Sequence, residues 1–521
     1  METRTRGTSG IAIGLVTGLT VLASLVTASA APPIDIGDRN QVFIDGRFLD
    51  KQKNVRIVVC PPVKTYEQNL KTNQFPKPPY GTIMAPDGKF RGFNALTKDG
   101  THWRVVEPGT PPEPDDILGY INPEPAKTMV FKDPTAPADE RYKLFGWSFA
   151  RTSADGADWP HYHPFGKVWP DWVQGKRGFD SHNVCFYDRR IGKYVAYIRV
   201  NKAYPAPPER QAYFSRDSKK RFGREDRYFL RTVGRAVTDD LAKGFDEVEV
   251  VFEPDDKDPR FGGVNVMDFY TPHVIPYEGA QDAYFLFTAR YRHFEQWYLA
   301  DDMSQYRRSG DSWNVGTLDI GFAASRDGVH WHRFEREPWI PLGPPDSFDS
   351  KKMYLVYGMH RQGDEIWMYY TGNRVLHAPH TDERKARSEP TVSRVVLRRD
   401  GFTAVEADYA GGEFTTPPLT FEGDVLRLNI DTSALGLARV EIQDAAGEPI
   451  PGYHLEDCDR IHLTDQTRYP VAWRGGETDV SKLSDQPVRL RFELMHGAKL
   501  HAFGFGFGEI GPESEQSTAS R

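Results

Sequence analysis

The sequence predicts an all-β protein, in which a five-bladed β-propeller is followed by a β-sandwich. Two observations carry this prediction. Five segments share one layout of two apolar strands and an acidic turn, and the chain after residue 400 reads as strands of alternating polar and apolar residues. The length of 521 residues agrees, because it corresponds to about three ordinary domains, or to fewer if one is a large β unit.

Composition narrows the class further. Hydrophobic residues make up 39% of the chain and charged residues 27%, which is the profile of a globular protein with a core. The 46 Gly, 39 Pro, 24 Tyr and 31 Phe favour short strands joined by tight turns. The net charge is −7, whereas a nucleic-acid-binding protein is expected to show a basic excess, so we exclude nucleic acid as a partner.

Residues 1–30 read as a signal peptide. Arg4 and Arg6 precede an apolar run over 11–26, which ends in the small-x-small cleavage pattern Ala28-Ser29-Ala30. The alternative is an uncleaved membrane anchor, but the run is short and is interrupted by Gly and Thr. We therefore expect a secreted or periplasmic protein that has no membrane span after cleavage at Ala30.

The five repeats are spaced as propeller blades with insertions would be. The aspartates of their acidic turns are separated by 56, 85, 87 and 73 residues, and a four-stranded blade needs roughly 40 to 50. Two successive β-sandwiches would not predict this recurrence. In the turns Asp99–Trp103 and Asp327–Trp331, we interpret Asp and Gly as turn residues and Trp as packing between sheets, in preference to a catalytic role.

Alternating strands mark a second domain at the C-terminal end. Residues 424–430 and 488–494 alternate polar with apolar side chains, which is typical of an antiparallel sandwich with one face in solvent. The sequence thus predicts a propeller over 38–404 and a sandwich over 405–509. The tail, 510–521, is rich in Ser and Glu, and this composition predicts disorder.

Four carboxylates precede the first strands of successive repeats. The tripeptide Phe-Asp-Ser places Asp180 before the third repeat and Asp349 before the fifth, while Asp268 and Glu124 hold similar places in the fourth and second. The first strand of a blade lies at the central axis, so these groups are expected to converge on one pocket. Mutual repulsion would separate their pKa values into an acid and a base, the pair that glycoside hydrolysis needs. The alternative is that each is a turn or capping residue.

We assign Asp180 and Asp349 as the base or nucleophile and its partner, and Asp268 or Glu124 as the proton donor. Neighbouring side chains could bind the sugar. Tyr80 could stack on a ring face, and six residues near the inner strands could hydrogen-bond hydroxyl groups: His182, Asn183, Tyr270, His273, Arg290 and Arg374. No cofactor or metal is predicted, because His161 and His163 read better as a solvated loop than as metal ligands.

The arrangement resembles the five-bladed propeller glycoside hydrolases of families 32 and 43, and particularly exported bacterial proteins that add a sandwich. The resemblance rests on Ser325–Trp331 with Pro341–Pro344, on Phe348-Asp349-Ser350 and Asp268–Tyr277, and in the sandwich on Leu419–Asp424 and Pro451–Tyr453. The furanosidase signature of the Trp-Met-Asn-Asp-Pro-Asn type and its Glu-Cys motif are absent. The resemblance implies a central pocket with an Asp base or nucleophile and an acidic partner.

Two functions from different classes remain open. The first is an exported glycoside hydrolase acting on a polysaccharide or oligosaccharide. The second is a non-catalytic glycan-binding or cell-envelope propeller, and sialidase-like chemistry is less favoured because no arginine triad can be identified. Two carboxylates about 5 to 5.5 Å apart in a pocket would favour a retaining glycosidase, and about 6.5 to 9.5 Å an inverting one. A wider separation, or a salt bridge to Arg for every carboxylate, would favour binding alone. The oligomeric state does not follow from the sequence.

Overall fold

The structure is a computed structural model that describes residues 32–71, 129–145, 149–154, 160–164, 182–209, 224–261, 263–293, 316–377, 390–484 and 486–508, with pieces between 83 and 106 and the single residues 211 and 219. The chain is all-β, as predicted. Helices with described bounds are three 3-10 turns: Gly46–Phe48, Ala138–Glu140 and Ser481–Leu483. Within these residues, no helix has the length and apolar character needed to cross a membrane.

The second and third repeats each form a four-stranded antiparallel sheet whose strands follow chain order, which is how a propeller blade is built. The strands of the second repeat are Met129–Lys132, Tyr142–Phe145, Phe149–Ser153 and His161–Pro164. Those of the third are Val184–Asp188, Lys193–Pro205, Arg227–Thr238 and Glu249–Phe252. The prediction of a loop at His161 and His163 was wrong, because both lie in a strand paired with Phe149–Ser153.

The fourth and fifth repeats are also antiparallel, but in each of them the first two strands both pair with the third strand and not with each other. One parallel bridge between Leu318 and Lys352 joins the two repeats. The strands of the fourth are Met267–Phe269, His273–Tyr277, Ala283–His293 and Gly316–Ser325. Those of the fifth are Lys352–Leu355, His360–Gln362, Glu365–Asn373 and Thr391–Arg398. Short pairs complete the described part: Ile83–Met84 with Phe90–Arg91, Asn94–Leu96 with Arg104–Val106, and Arg260–Phe261 with Val264–Asn265.

The outermost strands of the fifth repeat come from the other end of the chain. Val63–Lys64 and Leu70–Lys71, which precede the first repeat, both pair antiparallel with Thr391–Arg398. The last sheet therefore contains segments from both ends of the propeller. Such pairing covers the edge of Thr391–Arg398 that would otherwise expose unpaired backbone groups.

The acidic turns have the structural role that the sequence indicates. The Asp327 carboxylate accepts hydrogen bonds from the backbone amides of Val329 and His330, and Gly328 has a φ of +73°. Asp99 binds the amides of Thr101 and His102 in the same way. Such Asx turns with a glycine at positive φ reverse the chain tightly.

The C-terminal domain is a sandwich of two sheets, as the alternating pattern predicts. One contains Ile34–Gly37, Lys51–Lys53, Gly412–Thr415, Leu419–Phe421, Leu437–Asp444, Ile461–His462 and Val488–Met495. The other contains Gln41–Val42, Val55–Val59, Thr403–Ala407, Val425–Asp431, Asp465–Pro470 and Lys499–Gly506.

The N-terminal strands belong to this sandwich, which differs from the predicted propeller boundary at residue 38. Val55–Val59 pairs along its length with Thr403–Ala407. The rings of Phe43 and Phe48 lie 5.7 and 5.2 Å from that of Phe503, inside the sandwich core. Burial of these rings stabilises the N-terminal segment on the C-terminal domain, a long-range pairing that local sequence patterns do not contain.

Candidate active site

Strands at the start of the third, fourth and fifth repeats bring three aromatic side chains together. His182 lies just before Val184–Asp188, His273 begins His273–Tyr277, and Tyr354 lies in Lys352–Leu355. The two imidazole rings are stacked with centroids 5.2 Å apart, and the ring of Tyr354 is 5.5 Å from that of His182. Inner strands of successive blades are expected to approach each other in this way.

Further rings extend this group. Tyr270 lies 6.1 Å from Tyr354 and 5.2 Å from His377, and the Tyr354 hydroxyl is 3.0 Å from Nδ1 of His377. The ring of Tyr357 is 6.1 Å from that of His273. We call these six residues the central cluster: His182, Tyr270, His273, Tyr354, Tyr357 and His377.

Asp268 stands beside the central cluster, two residues before Tyr270. Its carboxylate is fully buried, and Oδ2 accepts hydrogen bonds from the backbone amide and Nη1 of Arg231 at 3.1 and 2.9 Å. Nε2 of His293 lies 3.1 Å from the same oxygen. The second oxygen, Oδ1, is buried without a hydrogen-bond partner among the described residues.

These contacts keep Asp268 ionised. Burial alone would raise the pKa of the carboxyl group, but the charges and hydrogen bonds of Arg231 and His293 outweigh it and hold the pKa below the ordinary value. A lowered pKa favours the ionised form near neutral pH, which argues against Asp268 as the proton donor, a role that stays a prediction. The group is suited to act as a base, a nucleophile or a stabiliser of positive charge.

Arg231 links this carboxylate to the aromatic rings. Its guanidinium lies 4.9 Å from the ring centre of Tyr270 and 5.0 Å from that of Tyr291. Arg199 approaches the ring of Tyr270 to 5.3 Å, and the backbone amide of Arg199 donates to Oδ1 of Asn183 at 2.9 Å. The predicted residues Asn183 and Tyr270 are therefore joined through Arg199.

The two stacked histidines are neutral. Burial lowers the pKa of His182 to about 4. Burial also lowers the pKa of His273 well below the ordinary range, and the repulsion that would arise if both rings were protonated adds to this effect. Nε2 of His182 and Nδ1 of His273 are buried and have no hydrogen-bond partner in the described part of the chain. A neutral imidazole nitrogen can donate or accept a hydrogen bond, depending on its tautomer, which suits recognition of a hydroxyl group.

Asp349 occupies a different environment. It is fully buried, and Oδ2 accepts from Nζ of Lys64 at 2.7 Å and from the Tyr370 hydroxyl at 3.0 Å. The Ser347 hydroxyl donates to Oδ1 at 2.6 Å. The described hydrogen bonds of Asp349 run to Lys64, Tyr370 and Ser347, none of which belongs to the central cluster, so its predicted catalytic role remains a prediction.

The described hydrogen bonds of the predicted sugar-binding residue Arg290 do not include the central cluster, and the other predicted arginine, Arg374, is exposed. Nε of Arg290 donates to Asp319 at 2.6 Å across paired strands, and Nη1 donates to the carbonyl of Arg336. Arg374 lies on the turn after Glu365–Asn373. The remaining predicted site residues, Asp180, Glu124 and Tyr80, lie outside the described residues.

The sequence analysis missed seven residues of this site: Arg199, Arg231, Tyr291, His293, Tyr354, Tyr357 and His377. Arg231 and His293 gave little signal, because the strands that contain them, Arg227–Thr238 and Ala283–His293, also carry other arginines. Their register against Asp268 could not be inferred without the fold. In the described residues, no group of three His, Cys, Asp or Glu side chains is placed to bind a metal ion.

The described residues thus form an all-β fold with a buried carboxylate beside two stacked imidazole rings. No protein-family model and no curated protein matches the chain. Among solved structures, it is similar to an N-acetylgalactosamine deacetylase from F. plautii in complex with blood group B trisaccharide. The identity is 12%, over 72% of this chain and 96% of that one, with a TM-score of 0.32.

Two further solved structures are similar to the chain. One is a glycoside hydrolase family 43 arabinoxylan arabinofuranohydrolase from Bacillus subtilis in complex with cellotetraose, at 10% identity over 91% of this chain and 96% of that one, with a TM-score of 0.32. The other is a β-1,2-mannobiose phosphorylase from Listeria innocua, at 13% identity over 70% and 90%, with a TM-score of 0.31.

Proposed function

We propose that the protein is a glycoside hydrolase that binds a polysaccharide or oligosaccharide at the central cluster. The observation that carries this proposal is Asp268, an ionised and buried carboxylate whose Oδ1 has no partner among the described residues. Leaving such an oxygen unsatisfied costs free energy, so its retention beside polar rings favours a functional role.

Glycoside hydrolysis needs one ionised and one protonated carboxyl group. Asp268 is proposed as the ionised group, which acts as base or nucleophile or stabilises the oxocarbenium-like transition state. Glu124 then becomes the proposed proton donor, and Asp180 the remaining candidate for a partner carboxylate; both stay expectations from their positions in the sequence.

The central cluster supplies groups that recognise sugars. Tyr270 and Tyr354 are 5% and 8% exposed, so a pyranose or furanose ring would contact the parts of their rings that the neighbouring arginines and rings leave uncovered. The nitrogens of His182 and His273 can hydrogen-bond the hydroxyl groups of the sugar. Because both histidines are neutral, they bind hydroxyls without attracting anions. This combination favours an uncharged sugar unit at the central cluster.

A hydrolysis screen tests the proposal. The full chain would be incubated with aryl glycosides and with plant and algal polysaccharides, and Tyr270→Ala would be compared with Tyr409→Ala, a substitution at an exposed tyrosine of the sandwich. We expect turnover of at least one substrate and a KM roughly tenfold higher in Tyr270→Ala alone. Equal KM values in the two variants would place the sugar elsewhere.

A second function, glycan binding without catalysis, is favoured by one observation. Both described candidate carboxylates are engaged in ion pairs, Asp268 with Arg231 and Asp349 with Lys64. Saturable sugar binding without turnover of any screened substrate would support this function over hydrolysis.

We also propose that the protein is exported, from the Ala28-Ser29-Ala30 pattern after an apolar run. The mature chain should begin near Ala31. N-terminal sequencing of protein recovered outside the cytoplasm would test this, and a chain that still begins at Met1 would contradict it.

A further inference from the structure

A polar groove lies where the sandwich meets the fifth repeat, apart from the central cluster, and its lining residues Asn40 and Thr467 donate hydrogen bonds to Asp400 and Asp364. Its volume is about 340 Å³, within the range of roughly 300–1,000 Å³ that is usual for small-molecule sites. Strands Val425–Asp431 and Lys499–Gly506 form the floor, and the rim includes Asp38, Asn40 and Arg468.

Alternating glycine and phenylalanine residues shape this floor. Phe503 and Phe505 point into the sandwich core, where they are 1% and 3% exposed, and Gly504 and Gly506 alternate with them on the groove side. A Cβ atom at Gly504 would lie 2.8 Å from Oδ1 of Asn40, and one at Gly506 would lie 2.6 Å from Nη1 of Arg427. The glycines therefore allow two polar side chains to lie against the backbone.

Positive charge prevails in the groove. Arg427 and Arg468 line it together with a single carboxylate, Asp38. Nη2 of Arg427 donates to the carbonyls of Phe507 and Gly508 at 3.0 and 2.8 Å, which fixes the guanidinium in place. Burial and the charge of Arg468 lower the pKa of Arg427, so the two cations are close enough to repel each other.

An aromatic ring stands at the edge of the groove. Phe507 continues the alternation but is 64% exposed, in contrast to Phe503 and Phe505. An exposed ring next to a fixed guanidinium offers a stacking surface, and the Nη1 hydrogens, which the two carbonyls do not use, can donate to a carboxylate or sulfate group. A free inorganic anion would use the arginines alone, whereas a sugar acid would use both features.

We propose that this groove is a second binding site, which takes a saccharide unit carrying a carboxylate or a sulfate group. Arg427 and Arg468 bind the anionic group, and Phe507 packs against the ring. The choice of a saccharide rests on the proposed function, while the need for a negative charge rests on the groove itself. The site would hold acidic units of a polysaccharide whose uncharged units reach the central cluster.

Isothermal titration of the full chain tests this proposal. The probes are trigalacturonate, a galactose 6-sulfate, an uncharged galactose trisaccharide and inorganic sulfate, and the protein carries Asp268→Asn to prevent turnover. Arg468→Gln and Phe507→Ala should each weaken trigalacturonate binding at least about tenfold. Arg460→Gln is the matched control, because Arg460 is an exposed arginine of the same domain outside the groove lining. Added salt should weaken the binding of the acidic sugars.

Three results would overturn the proposal. Equal affinity for the uncharged trisaccharide would remove the anionic requirement, and no binding of either acidic sugar would remove the site. Inorganic sulfate binding as tightly as trigalacturonate, with no effect of Phe507→Ala, would reduce the groove to an anion site. Hydrolysis is scored separately with wild-type protein and uncharged aryl glycosides, so loss of the proposed function and loss of the groove are distinguishable.

Discussion

The hydroxyl of Tyr369 donates a hydrogen bond of 2.7 Å to the backbone carbonyl of Gly100, and so joins the fifth repeat to the first. Tyr197 makes the same bond, also 2.7 Å, to Gly328 and joins the third repeat to the fourth. In both pairs the tyrosine lies on the longest strand of one repeat and the glycine in an Asp-Gly turn of the next. The fifth repeat therefore contacts the first repeat in the same way as the third contacts the fourth. This is expected when the repeats of a propeller close into a ring.

Removing the hydroxyl of Tyr369 should lower the stability of the propeller. Tyr369→Phe removes the hydrogen bond to the Gly100 carbonyl, and the loss of such a bond costs about 0.5–1.5 kcal/mol of stability. Tyr197→Phe should have a similar effect at Gly328. Urea unfolding of the full chain measures both, with Tyr409→Phe, at a 69% exposed tyrosine, as the control. Unfolding midpoints equal to that of the control would mean that neither bond supports the fold.

The ion pair of Lys64 and Asp349 should stabilise the pairing of strand Val63–Lys64 with the fifth repeat. The two groups are 2.7 Å apart and their side chains are 7% and 0% exposed. Lys64→Met leaves a buried carboxylate without its cation, so we expect a loss of about 3–5 kcal/mol in the free energy of unfolding. Lys193→Met is the control, since its pair with Asp239 is exposed. A loss no larger than that of the control would show that the pair contributes little.

Stability should fall with acidification because of the buried histidines. The folded state holds His182 neutral with a pKa of about 4, against an ordinary value of 6.5. Between these values, the unfolded chain binds a proton that the folded chain does not, so stability declines as the pH falls from about 6.5 toward 4. His182→Gln should flatten this decline in urea unfolding at pH 7 and pH 5, and His462→Gln, at an exposed histidine, should not. Parallel slopes in all three proteins would contradict the assignment.

The paired carboxylate Asp268 should also make stability fall with acidification, but in a lower pH range. Its lowered pKa contributes stability that is present above the ordinary value of 3.8 and is lost as the pH falls through the lower folded value. Arg231→Gln should therefore destabilise the protein at neutral pH and have less effect at very low pH. Unfolding measured at both pH values tests this, and an effect independent of pH would indicate lost packing alone.

The sequence predicts those parts of the fold that depend on local patterns. Alternation correctly indicated Val425–Asp431 and Val488–Met495, and the Asp-Gly turn at Asp327 was correctly interpreted as structural. The position of the N-terminal strands could not be predicted, because the pairing of Val55–Val59 with Thr403–Ala407 joins residues far apart in the sequence. The number of five blades stays a prediction.

The candidate site was predictable only where local sequence patterns indicate a residue. Asp268, Tyr270, His182 and His273 were found from their positions before or at inner strands, which the topology brings together. The ionised state of Asp268 could not be predicted, since it depends on Arg231 and His293, which reach it from other strands. Charge partners of this kind are set by tertiary register, and a single sequence does not encode them in any local pattern.

The most direct test measures turnover and sugar affinity together for Asp268→Asn on a substrate found in the screen. The substitution keeps the shape of the side chain but removes the ionised oxygen, so kcat should fall by about 10²-fold or more. The affinity for the sugar should change little, because the rings of the central cluster remain. Asp327→Asn, in an exposed turn, is the control and should keep the wild-type rate. Full turnover by Asp268→Asn would contradict the proposed site.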